Sequence, residues 1–195
     1  MPRRLYVFDL PDRFVAGTVG QPGNRTFFLQ ARDGGRVVSV VLEKVQVAVL
    51  ADRLNQLLDE LEQRGIARTA AEPGTRAGGR PDGEPLDEPV VEAFRAGTLT
   101  LGWDGDTERV LVEARAQTVD EDDEEADDDE SALEVDDDPE GPDLFRVQLS
   151  AAAARAFVER AVSVVASGRP PCPLCGQPLD AQGHICPRRN GQYVN

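Results

Sequence analysis

Histidine, cysteine and lysine are nearly missing from this chain. Among 195 residues there are one His, three Cys and a single lysine, Lys44, against 20 Arg. No cysteine or histidine occurs before Cys172. A disulfide framework for the body of the chain is therefore excluded, and if His184 is a metal ligand no histidine remains for general acid–base chemistry near neutral pH. Aromatic residues make up 5% and hydrophobic residues 40%, which allows a core of modest size. No run of about 18 apolar residues occurs, so no transmembrane helix is expected. The opening MPRRLYVFDLPDRF is interrupted by Asp9 and Asp12 and does not read as a signal peptide. A Walker-type phosphate loop, a Gly-x-Gly-x-x-Gly after a strand and a Gly-x-Ser-x-Gly elbow are all missing. The glycines from Gly17 to Gly23 come without a lysine or a following helix.

Charge is unevenly spread. The formal net charge is −15, yet 16 of the acidic residues lie between Asp120 and Asp143, where no Lys or Arg occurs. The remainder holds 20 acidic against 21 basic residues, a net of +1. The acidity belongs to one segment whose charge density opposes packing, and 118–143 reads as a disordered insertion. A second compositional break, 66–89, mixes Pro73, Pro81, Pro85 and Pro89 with Gly74, Gly78, Gly79 and Gly83 and reads as a flexible linker. Arginine used in place of lysine, with much Ala, Gly, Pro and Asp, suggests a GC-rich genome.

Between these breaks the chain alternates strands and helices. Leu5 to Phe8 and Phe14 to Val19 read as strands separated by a Pro11-Asp12 turn. Thr26 to Ala31 alternates, with Phe27, Leu29 and Ala31 on one face, and Asp33-Gly34-Gly35 signals a hairpin into Val37 to Leu42. Val47, Leu50, Leu54, Leu57, Leu58 and Leu61 then recur at helical spacing, predicting a helix over 45–64 that stops at Gly65. Thr98 to Trp103, Arg109 to Ala116 and Leu144 to Leu149 are further strands, and Ser150 caps a helix over 151–166 with Ala154, Phe157, Val158, Ala161 and Val165 inward. Strands followed by a helix thus occur twice, which suggests a duplicated β-β-α unit. The expected fold is α+β: an antiparallel β-meander sheet with two helices on one face, residues 1–168, followed by a tail, 169–195.

The tail reads PCPLCGQPLDAQGHICPRRNGQYVN from Pro171. Cys172, Cys175, His184 and Cys186 form two short knuckles, and three thiolates with an imidazole are the donor set of a closed, tetrahedral, structural Zn²⁺ site. A segment this short and polar would fold on metal binding, worth on the order of 10 kcal/mol. Iron–sulfur clusters favour four thiolates, and magnesium or calcium favour oxygen. A redox pair at Cys172 and Cys175 is the alternative, although Gly176, Pro178 and Gly183 break the helix that such a pair normally opens. Four unligated, solvent-exposed side chains are the third reading.

The segments FDLPDRFVAGTVGQPGNRTFFLQA, SVVLEKVQVAVLADRLNQLLDEL and GRPPCPLCGQPLDAQGHICPRRNG resemble an actinobacterial family, the domain of unknown function 3090 family. The resemblance covers most of the chain apart from the linker and the acidic run. It implies no established activity. It does imply a genomic neighbourhood shared with a kinase-like and a histidine-phosphatase-like protein, and hence a phosphate-related pathway.

Three functions are expected from these readings. The first is a non-enzymatic binding or adaptor protein of the cytoplasm, away from membranes. In it one zinc fixes the loop bearing Arg188, Arg189, Asn190 and Tyr193 against a protein partner. The second is nucleic-acid binding by the basic tail, with Arg169, Arg188 and Arg189 on phosphates and Tyr193 stacked on a base. The third is an enzyme or accessory subunit for a phosphorylated or nucleotide substrate, which would require a pocket lined by Arg13, Arg25 and Lys44. Asp9 with Asp12, and Glu43 beside Lys44, read as solvated strand-end charges rather than as catalytic pairs.

Overall fold

A computed structural model describes residues 3–67, 82–118, 141–168 and Leu174. Among these residues, seven strands and two helices run in the order β1 (Leu5–Asp9), β2 (Arg13–Gln21), β3 (Asn24–Asp33), β4 (Arg36–Leu42), α1 (Lys44–Gln63), β5 (Glu92–Asp104), β6 (Arg109–Ala116), β7 (Leu144–Leu149) and α2 (Ala151–Ala166). The strands form one sheet in the order β1-β7-β6-β5-β4-β3-β2.

Local chemistry accounts for the elements. Asp33 pairs with Arg36 across the Gly34-Gly35 turn, and Gly34 has φ +55°, a conformation that glycine adopts without a Cβ penalty. Gln46 turns back to accept the Glu43 N–H at 2.8 Å and opens α1; Gly65, at φ +66°, closes it. Ser150 caps α2 by accepting the Ala153 N–H at 3.2 Å. The apolar stripe of α1 buries Val47, Leu50, Ala51, Leu54, Leu58 and Leu61, with Leu57 half-buried at its margin.

The α+β class and the two helices stand as the sequence predicts, but the sheet is mixed. β1 pairs with β7, and β4 with β5, in parallel; the other four pairings are antiparallel. Both departures from the antiparallel meander have a cause. Helix α1 crosses back over the sheet between β4 and β5, and a strand–helix–strand connection returns the chain in its original direction. β1, close in sequence to β2, takes a partner 139 positions away, beyond the reach of local periodicity.

The duplication is visible in the register. In β2-β3-β4 the inward rows are Phe14–Ala31–Val38, Ala16–Leu29–Val40 and Thr18–Phe27–Leu42. In β5-β6-β7 the corresponding rows are Leu99–Ala114–Phe145, Leu101–Val112–Val147 and Trp103–Val110–Leu149. Each third strand passes through one residue, Glu43 or Ser150, into its helix, and Val47, Leu50, Ala51 and Leu54 of α1 correspond to Ala154, Phe157, Val158 and Ala161 of α2. The apolar residues among these form one continuous core, with Leu99, Leu101 and Trp103 packed against it. The repeat is therefore three strands and a helix, one strand longer than the β-β-α unit read from the sequence.

The sheet is strongly rolled. A flat seven-stranded sheet would separate its edges by about 29 Å at about 4.8 Å per strand. Here the two edge strands are joined by residues 10–12 alone, which span at most about 14 Å between Asp9 and Arg13. Leu10 turns at φ +51° and donates its N–H to Gln148 O at 3.0 Å. Inside this corner the Phe14 ring of β2 lies 6.4 Å from Phe145 of β7 and 4.7 Å from Phe157 of α2.

Residues 119–140, most of the acidic run, and nearly all of the tail lie outside the described residues. The described residues on either side of that run are neighbours, because Ala116 donates to Asp143 O at 2.8 Å. Within the stretch read as linker, residues 82–87 are held on the sheet by buried arginines and an apolar pit.

Candidate functional site

β2 is an edge strand, and an edge strand needs cover for its unpaired backbone groups. Three arginines surround this edge. Arg13 begins β2 and is 9% exposed; Arg160, on the third turn of α2, is 7% exposed; Arg32, from β3, is half-exposed. Buried guanidinium groups require partners. Those partners come from a strap, residues 82–87, reading Asp-Gly-Glu-Pro-Leu-Asp.

Arg13 donates from Nε and, at 3.1 Å, from Nη2 to the Asp82 carboxylate, from Nη1 to Asp87 Oδ2 at 2.7 Å, and from Nη2 to Glu84 O and Pro85 O at 3.0 and 2.9 Å. Arg160 donates from Nε to the edge carbonyl Ala16 O at 2.7 Å, from Nη1 to Asp82 O and, at 2.9 Å, to Asp82 Oδ1, and from Nη2 to Glu84 O at 2.7 Å. Arg32 Nη1 reaches Asp87 Oδ1 at 2.7 Å. Gln30, 1% exposed, pairs with the Asp87 backbone as a neighbouring strand would: its Nε2 donates to Asp87 O at 3.0 Å and its Oε1 accepts the Asp87 N–H at 2.8 Å. Ser39 Oγ accepts the second Gln30 amide hydrogen at 3.0 Å.

Apolar contact completes the seat. Leu86 is 7% exposed and packs with Val15, Phe28 and Val41 on the face of the sheet opposite the helices, with Val90 alongside. Gly17 makes room for it, since a Cβ there would lie 2.5 Å from the Leu86 side chain. A cleft of about 90 Å³ opens beside the ion network, between the Pro11–Val15 corner, Ala153, Ala156 and Phe157.

The electrostatics follow from this geometry. The hydrogen bond from Arg13 holds the Asp82 carboxyl below the usual carboxylate range. Burial pushes Asp87 up, but its hydrogen bond and charge contacts with Arg13 and Arg32 outweigh that and leave it lowered. Arg13 is raised, first by its hydrogen bond to Asp82. Arg160 is lowered by burial, which the charge of Asp82 only partly offsets. The cluster is a set of fixed charges that bind carboxylates and backbone carbonyls.

The residues singled out from sequence fare differently. Cys172, Cys175, His184, Cys186, Arg188, Arg189, Asn190 and Tyr193 lie outside the described residues. Among the described residues no group of three His, Cys, Asp or Glu side chains could hold a metal ion. The base of the tail is anchored: Arg25 Nη1 donates to Ser167 O at 2.9 Å while its guanidinium lies 5.4 Å from the Phe27 ring centre. Leu174, between the first two cysteines, is exposed. Among the described residues Arg13, Arg25 and Lys44 line no common pocket. Arg13 sits at the opposite end of β2 from Arg25, and Lys44 is exposed at the start of α1. Asp9 pairs with Arg109, Asp12 accepts the Gly34 N–H at 3.0 Å, and Glu43 pairs with Arg95 at 2.8 Å. Each is a strand-end charge with a structural partner.

Sequence reasoning missed Arg160 and the strap. Arg160 is the one charge on the buried side of α2, three residues after Phe157, and that placement was its signal. The strap's signal was a lone leucine between two aspartates in a Pro/Gly-rich stretch.

No curated protein and no solved structure matches the chain. A family model described as "Protein of unknown function (DUF3090)" matches residues 6–186.

Proposed function

The chain belongs to that family, which brings no activity with it, and we propose from this premise a binding or adaptor protein rather than an enzyme. Its C-terminal tail would hold one structural Zn²⁺ on Cys172, Cys175, His184 and Cys186. The observation that carries this reading is the donor set itself, three thiolates and one imidazole at two- and one-residue spacings. The family match reaches residue 186, the last of the four. The tail leaves the core from α2, whose end is tied to β3 by Arg25, so a metal-folded knuckle would stand on a fixed base. The metal would set the loop of Arg188, Arg189, Asn190 and Tyr193, which would face a protein partner. Thiolates of this kind suit a reducing compartment such as the cytoplasm. The buried charges Arg13, Arg160 and Glu113 are each engaged in structural ion pairs between separate segments.

The test is zinc per chain in protein purified without added metal, beside a Cys172→Ser/Cys175→Ser variant. One zinc in the wild type and none in the variant is the expected result. Metal-free wild-type protein whose thiols cycle reversibly between oxidised and reduced forms would replace this reading with a redox pair.

A further inference from the structure

We propose that the outer face of β2-β3-β4 is a peptide-recognition groove for acidic segments of the pattern Asp-x-x-x-Leu-Asp, and that residues 82–87 fill it in cis as a built-in ligand. The strap is bound as extended peptides are bound. One residue, Asp87, makes reciprocal backbone hydrogen bonds to a side-chain amide, Gln30. A single apolar anchor, Leu86, enters a pit shaped by Gly17, Val15, Phe28 and Val41. Both carboxylates are read by guanidinium groups, Asp82 by Arg13 and Arg160, Asp87 by Arg13 and Arg32.

Covering an edge does not call for this much recognition. Among the described residues, the counter-charges of two buried arginines all come from one short segment, and they would be lost once that segment departs. Such an arrangement discriminates for carboxylates at two fixed positions, and Arg13, Arg32 and Arg160 make the groove cationic when the strap and its three acids are out of it. Among the described residues the corresponding face of the second repeat carries no strap; there Glu113 pairs with Arg146 within the sheet. Among the described residues the groove is thus a property of the first repeat. Its trans occupant is an acidic, extended segment of a partner protein that presents leucine before the second aspartate, competing with the strap.

The inference stands apart from the zinc tail, so the Cys172→Ser/Cys175→Ser variant is expected to match the wild type in both strap opening and peptide binding. In the wild-type chain, amide exchange at Asp87 is expected to be at least tenfold faster than at Leu29 in β3, because the strap opens without the core. Equal rates would make the strap part of the core and overturn the proposal. A fluorescein-labelled peptide of residues 81–90 should then bind a Leu86→Ala/Asp87→Ala variant at least tenfold more tightly than the wild type. Binding should weaken with salt and fall at least tenfold when both peptide aspartates are replaced by asparagine. If the double variant does not fold, Leu86→Ala alone serves, because the arginine contacts remain. A folded variant that fails to bind the peptide refutes the groove. Sedimentation of the wild type as a strap-exchanged dimer would assign the groove to a second copy and overturn the partner-peptide assignment.

Discussion

The two repeats can be laid over one another row by row, and they agree on one face and disagree on the other. Toward the helices both present small and branched apolar residues at nearly every shared position. On the opposite face the first repeat carries Val15–Gln30–Ser39 and Gly17–Phe28–Val41, where the second carries Thr100–Glu113–Arg146 and Gly102–Leu111–Gln148. The helices repeat this divergence. Arg53 of α1 and Arg160 of α2 occupy equivalent positions, yet Arg53 is exposed and Arg160 is buried under the strap. The inner face is fixed by the common core. The outer face is where one repeat carries a bound segment and the other, among the described residues, an ion pair within the sheet.

Removing the inner anchors should blur the distinction between repeats. Phe157→Ala is expected to cost about 3–5 kcal/mol and its equivalent Leu50→Ala about 2–5 kcal/mol, read as shifts in urea midpoints at constant slope. A cost below about 1 kcal/mol for either would mean that the shared core does not hold both halves together.

Outer-face substitutions should sharpen it. Asp82→Asn leaves Arg13 and Arg160 short of charge in a buried setting and is expected to cost about 2–3 kcal/mol. Glu113→Gln leaves Arg146, which is partly open to water, and is expected to cost about 1 kcal/mol. Equal costs, measured by the same unfolding curves, would erase the contrast between the two outer faces.

Acid is the gentlest probe. Asp82 and Asp87 are lowered in the folded chain, so the folded state binds fewer protons than the unfolded one wherever only the latter is protonated. Their stabilisation is complete above the ordinary aspartate value, about 3.9, and is lost as pH falls through the lower folded values. The strap should stay latched at neutral pH and loosen in strong acid. Between pH 6 and pH 3 the melting temperature of the wild type should drop by more than that of Asp82→Asn; parallel curves would remove Asp82 from the latch.

What was legible in the sequence is what repeats locally. Alternation placed Phe27, Leu29 and Ala31 on one face, helical spacing placed α1 within a residue or two of its observed ends, and Ser150 announced α2. What was not legible depends on partners far apart in the chain. The parallel seat of β1 needs β7, and the fixed course of 82–87 needs Arg13 and Arg160, on two elements distant from it in sequence. Pro81, Gly83 and Pro85 look like a loose linker because the groups that order the strap are not its neighbours. The four cysteine and histidine positions stand out from spacing alone, since two knuckles are local patterns.

The corner at residues 10–12 has a consequence for how the molecule is made. β1 is synthesised before the other strands of this sheet, but the strand it lies against follows 139 residues later. At about 5–20 residues per second, Leu5 and Val7 wait roughly 7–28 s for a ladder to join, while the first repeat is already entire behind them. Of the strands in this sheet, the earliest synthesised is the last to find its partner, so completion of the sheet reports that all seven strands have been translated while α2 is still to follow.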